Sequence, residues 1–231
     1  MALRNSPSDL IKYFADQARK DPENTNLPSL NGLSSILDSS VPTLREQLEV
    51  AKSMGIVEVR PRTGIKRLPY SFRFAVWNSL SYAINVDRSL FYDFAHLRVQ
   101  VELAFWEQAV ISLDDEDKAK LGDLINKAEI KLKGFPVQIP HTEHRELHLT
   151  IYRKLDNPFV LGILEAYWDA YESIGLSVLN DINYLEEVWN YHRRIVSSIC
   201  ANEFEMGLSA LVEHTDLLAL LPDVSVNDEI D

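Results

Sequence analysis

Apolar residues return every third or fourth position through most of this chain, and in one short stretch they alternate. Leu10, Ile11, Phe14 and Ala18 share one face of a helix over about residues 8–20. The run DPENTNLP then breaks it with two prolines and two asparagines. Ser29 is placed to cap a short helix reaching about residue 37, with Leu30, Leu33 and Ile36 inward. Ser40 caps a third helix over 41–54, which carries Pro42 in its first turn, where a missing N–H costs nothing. Leu44, Leu48 and Ala51 turn inward, and Gly55 supplies the helix end. Residues 56–60 and 65–68 alternate around Pro61-Arg-Thr-Gly64, which predicts a two-stranded hairpin with a basic tip.

From residue 70 onward the pattern stays helical. Helices are expected at about 73–84, 88–113, 115–132, 140–155, 158–179, 181–201 and 203–221, separated by Asn, Asp, Gly and Pro clusters. The predicted fold is mainly α: an N-terminal winged helix-turn-helix (three helices plus a β-hairpin wing) at 1–70, then an all-α helical bundle at 71–222. Residues 223–231 read as a loose acidic tail.

Composition changes this picture in one respect. The whole chain carries −12, which argues against a nucleic-acid partner, but residues 1–73 carry +3 and the rest −15. A mildly basic head on an acidic body suits a DNA reader with a separate regulatory domain. A single cysteine, Cys200, excludes an internal disulfide framework. No apolar run is long enough for a membrane span and the first residues lack a secretory pattern, so a cytoplasmic protein is expected.

In a winged helix the third helix enters the major groove, and wing cations meet phosphate or the minor groove. Arg60, Arg62, Lys66 and Arg67 occupy the wing. The stretch LPSLNGLSSILDSSVPTLREQLEVAKSMGIVEVRPRTGI, about forty residues, resembles the winged helix of the GntR family. The match runs in register through Leu27-Pro28-Ser29, Thr43-Leu44-Arg45-Glu46, Leu48, Gly55-Ile56-Val57 and the wing glycine Gly64. The resemblance implies DNA contact from Ser29, Ser40, Thr43, Arg45, Arg60, Arg62, Gly64 and Lys66, with a double-stranded operator as partner. Two positions depart: Asn31 and Val41 stand where family members usually carry arginine. A lost bidentate arginine removes about 1–3 kcal/mol of base discrimination. The operator should therefore differ from the family's usual one, or the affinity be lower.

Six histidines sit in the chain, and His144 and His148 lie four apart, on one helix face, as a divalent ion needs. On spacing alone, an i,i+4 histidine pair on a helix is more often surface or core than ligand. Residues from about 90 to 216 resemble the FCD domain, the helical effector domain of one GntR subfamily. Arg98 and Glu102 match its R-x-x-x-E motif; His144-Arg-Glu-Leu-His148 and Leu155-Asp-Asn157 match its middle helix; His192 and His214 match its last two histidines. The resemblance implies a divalent metal (zinc, nickel or manganese) on His144, His148, His192 and His214, with a small organic acid as effector beside it. His144 replaces the family's aspartate, so either the metal site carries four neutral ligands or the pocket has lost the metal and binds the effector directly. Arg98 either meets the effector carboxylate or forms a plain i,i+4 pair with Glu102. Trp106, Tyr167, Trp168, Tyr171 and Trp189 read as core and dimer packing.

The expected function is a homodimeric, ligand-responsive transcriptional regulator, with repression as its mode. Two other readings compete. One is a protein-interaction module with degenerate DNA binding, supported by Asn31 and Val41. The other is a metal-dependent enzyme using Glu143 or Glu146 as base, which leaves the winged head unexplained. No nucleophile elbow, P-loop or dinucleotide fingerprint occurs.

Overall fold

Ser8 opens the first helix, α1 (Asp9–Lys20), by accepting the Ile11 N–H on its Oγ at 3.3 Å. The computed structural model describes residues 8–176 and 181–217, and the chain divides into two units, Met1–Asn78 and Ser79–Asp231. In the first unit Ser29 caps α2 (Leu30–Leu37) and Ser40 caps α3 (Val41–Ser53), each Oγ accepting a first-turn N–H at 3.3 Å. Asp38 at φ +47 ends α2 and Gly55 at φ +66 turns the chain out of α3.

The sheet has three strands, not the expected two. β2 (Val57–Arg60) and β3 (Gly64–Arg67) form the hairpin, with Arg60 opposite Gly64. β1 (Asn26–Leu27) adds to the free edge of β3, in the order β1-β3-β2. Two residues are too short to show a period, so this strand is invisible in the hydrophobic pattern. Leu10, Phe14, Leu33, Leu44, Leu48, Ala51, Val57 and Ile65 form the core of this unit. Ile36, expected to point inward, is 54% exposed; the inward row of α2 is Leu30, Leu33 and Leu37, with Leu33 fully buried.

Helix α4 (Arg73–Val86) crosses the division between the units. Its first residues pack on the head, where the Phe74 ring covers Gly55 and Asn78 Nδ2 donates to the Ser53 carbonyl at 2.6 Å.

The second unit holds α5 (Leu90–Ile111), α6 (Asp115–Lys133), α7 (His141–Tyr152), α8 (Pro158–Ser173), α9 (Ile182–Ala201) and α10 (Phe204–Thr215). Asp114 and Asp117 form a reciprocal capping box at the start of α6. Asn157 caps α8 through the N–H groups of Phe159 and Val160. Helix α8 stops at Ser173, short of the expected residue 179, because Gly175 takes φ +84. Residues 177–180 and the acidic tail at 223–231 lie outside the described residues.

Close packing draws the helices together around the site. Trp106 on α5 donates its Nε1–H to the Phe204 carbonyl at 3.0 Å and lies so near Gly207 on α10 that a Cβ there would stand 2.8 Å from the ring. Among the described residues no helix is long and apolar enough to cross a membrane.

Candidate functional site

Helix α7 carries His144 and His148 one turn apart, and α9 and α10 bring His192 and His214 against them. One ring nitrogen from each of the four histidines lies within 4.8 Å of the others. His148 Nε2 faces His192 Nε2 at 3.0 Å, and the ring centroids of His192 and His214 are 4.4 Å apart. Metal–nitrogen bonds of about 2.0–2.1 Å would place tetrahedral nitrogens roughly 3.3 Å apart, so these four could hold one ion once the set contracts from its present 4.8 Å spread. Burial holds all four imidazoles well below the ordinary histidine range, with neighbouring positive groups adding to it. Neutral imidazoles are the form that donates a lone pair. Among the described residues, the buried Nδ1 atoms of His192 and His214 have no hydrogen-bond partner.

Helix α5 supplies the charged neighbours. Arg98 and Glu102, 3% and 1% exposed, pair at 3.0 Å. Both also reach His148 Nδ1: Arg98 Nη2 at 2.8 Å and Glu102 Oε1 at 3.0 Å. Of the two sequence alternatives for Arg98, the structure shows the i,i+4 pair with Glu102, and it places the same guanidinium beside His148. Burial pushes the Glu102 carboxyl up, against the downward pull of Arg98. The Arg98 guanidinium lies over Tyr167 at 4.7 Å and Trp168 at 6.0 Å from the ring centres. Burial raises the Tyr167 hydroxyl to about 12, so it stays a neutral donor.

Two small clefts of about 10 Å³ each flank His144. One is lined by His141, Tyr171 and Trp189 among others, and the second by Arg98, Tyr167, Trp168, Tyr171, Tyr184 and His214. The aromatic residues read from the sequence as packing are buried, yet Tyr167, Trp168, Tyr171 and Trp189 also line the site. Trp106 packs on Gly207 instead. Tyr184 was missed, and its position on the first turn of α9 gave no signal. His141 stays outside the set of four, with Nε2 3.0 Å from Glu172 Oε1. The two carboxylates considered as enzymatic bases are held elsewhere, Glu143 by Lys131 and Glu146 by Lys120 and Arg153.

In the head, Thr43 and Arg45 are exposed along α3, and Thr43 Oγ1 lies 2.8 Å from Ser40 Oγ. Ser29 and Ser40 spend their hydroxyls as helix caps and are exposed at the starts of α2 and α3. Arg62 takes φ +69 at the wing tip and is exposed beside Gly64, at φ +77. Arg60 pairs with Glu58 at 2.8 Å, and Lys66 is half-buried on β3. Arg67, read as a wing cation, turns back onto the carbonyls of Asp21, Pro22 and Asn24 and ties the loop before β1 to β3. It holds the fold of the wing instead of reaching outward.

The FCD domain family matches residues 93–217. The chain belongs to that family, and with a winged helix ahead of the domain it is a transcriptional regulator of the GntR type. Its fold is similar to that of a Streptococcus agalactiae GntR structure (TM-score 0.64, 19% identity, covering 90% of this chain and 94% of that one). The E. coli McbR/YncC structure is also similar (TM-score 0.50, 20% identity, covering 92% and 96%). No curated protein sequence matches the chain.

Proposed function

We propose that this regulator is a homodimeric repressor whose helical domain holds a divalent metal on His144, His148, His192 and His214 and takes a small organic acid at Arg98. The observation that carries the reading is the convergence of ring nitrogens from three buried histidines and the half-buried His144 within 4.8 Å, with a guanidinium beside them. Bound there, a divalent ion of the zinc, nickel or manganese kind would supply a positive centre for an anion, and neutral donors leave that charge uncompensated. Arg98 would add bidentate donors for the carboxylate, and Tyr167 and Trp168 would pack its carbon skeleton. In the head, Arg45 reads base edges while Arg60, Arg62 and Lys66 face phosphate. Effector binding shifts the dimer between two arrangements of differing fit to a two-fold operator.

Elemental analysis of the untagged protein, wild type and His148→Ala, tests the centre. Near-stoichiometric metal in the wild type that falls to background in the variant supports it. A folded wild type that neither carries metal nor takes it up from solution leaves direct binding of the effector, with no ion. A gel shift on DNA upstream of its own gene, repeated across a salt series, tests the head; phosphate contacts make the affinity fall steeply with salt.

A further inference from the structure

Beyond its pair with Arg98, Glu102 has no part in the reading above, yet it is among the most deeply buried carboxyl groups of the described residues. Its Oε1 lies 3.0 Å from Arg98 Nη2 and 3.0 Å from His148 Nδ1, while Oε2 is buried with no hydrogen-bond partner. His148 is the ring whose two nitrogens are both engaged: Nε2 faces His192, and Nδ1 faces Glu102 and Arg98 together.

A neutral imidazole carries one proton. Nδ1 cannot accept the Arg98 N–H and hold a proton for Glu102 at the same time. When Nε2 offers its lone pair to a cation, the proton sits on Nδ1 and needs an acceptor, and the Glu102 oxygen is the acceptor in place. The Tyr152 hydroxyl donates to the Glu102 backbone carbonyl at 3.0 Å, which pins this turn of α5 against α7 and keeps the acceptor in reach.

We propose that Glu102 is the positioning residue of the histidine centre: it accepts the Nδ1–H of His148, fixes the tautomer that turns Nε2 toward His192, and lends a carboxyl group to a donor set that has none. This rests on the metal reading above and deepens it. It also makes the Arg98–His148 contact and a loaded centre exclusive, so that loading frees an Arg98 N–H group for another acceptor. Carboxyl partners of ligating histidines commonly contribute 10–100-fold in metal affinity.

Cobalt(II) titration of the metal-stripped full-length protein, followed by its visible d–d bands and by chelator competition, tests the assignment. Glu102→Leu alone leaves Arg98 unpaired in the interior, so the decisive comparison is Arg98→Met against Arg98→Met/Glu102→Leu, which removes the buried pair as a unit and takes the acceptor oxygen with it. The double variant is expected to bind cobalt about 10–100-fold more weakly than Arg98→Met, with shifted bands. Equal affinity and superimposable spectra would overturn the role of Glu102 while leaving the four-histidine centre standing. A wild type that binds no cobalt overturns the centre itself, and the positioning role with it.

Discussion

Gly55 sits at φ +66 directly beneath the Phe74 ring, and both facts demand glycine. An added Cβ would strain the backbone and run into an aromatic ring held by α4. Gly55→Ala is therefore expected to destabilise the head by about 1–3 kcal/mol, read as a lower melting midpoint. Phe74→Ala in the same chain should recover the steric part and leave the backbone part. Melting of the double variant at the wild-type midpoint would show that Gly55 is dispensable. At this scale the sequence was partly readable. The glycine's place as a helix end followed from the pattern, whereas the ring above it, nineteen positions on, did not. The site divides in the same way. Spacing and resemblance singled out the four histidines, but the contact of His148 with Glu102 spans 46 positions and two helices. No local periodicity reports which polar neighbour a buried ring finds. Tyr167, Trp168 and Tyr171 follow core spacing because they are core, and the same packing makes them walls of the site.

Among the elements, the start of α6 is tied to the segment that follows α7. Asp114 accepts the Asp117 N–H at 3.0 Å and also meets Lys154, which follows α7, while Lys154 reaches Asp117 at 2.6 Å. Lys154 and the helix N–H hold the Asp114 carboxyl down, at about 2. Because this folded-state value lies below the ordinary one, the contribution is complete above about pH 4 and is lost as the pH falls through about 2. Asp114→Asn keeps a capping oxygen and removes the charge. Its melting temperature should lie below wild type at neutral pH, and the gap should close on acidification toward pH 2. A gap that stayed constant with pH would assign the effect to capping geometry alone. Caps of this kind were legible where Ser29, Ser40 and Asn157 sit one residue ahead of a periodic run, whereas α7 and α10 begin behind Pro140 and Glu203 with no side-chain cap. The two-residue β1 and the early stop of α8 were not, since a strand so short carries no pattern and Gly175 lies within an otherwise apolar run.

Taken whole, the chain separates charge along its length, +3 over residues 1–73 and −15 over the remainder. An acidic body would repel DNA and keep contact confined to the head. Two classes of contact then separate by measurement. Arg45→Ala, on the exposed face of α3, should cost about 1–3 kcal/mol on the preferred operator and little on unrelated DNA. Arg62→Ala, at the wing tip, should weaken binding on all sequences alike and lower the salt slope by about one. Equal loss on all sequences for Arg45→Ala would make it a backbone contact. The two clefts beside His144 carry one more consequence. Each is about 10 Å³, near the size of a single water, and is walled by large aromatic rings. If the centre holds a ligand as proposed, that ligand must wait for those walls to part before it leaves, and the lifetime of the bound state would then be set by how often the helices breathe, which would make signal memory a property of packing.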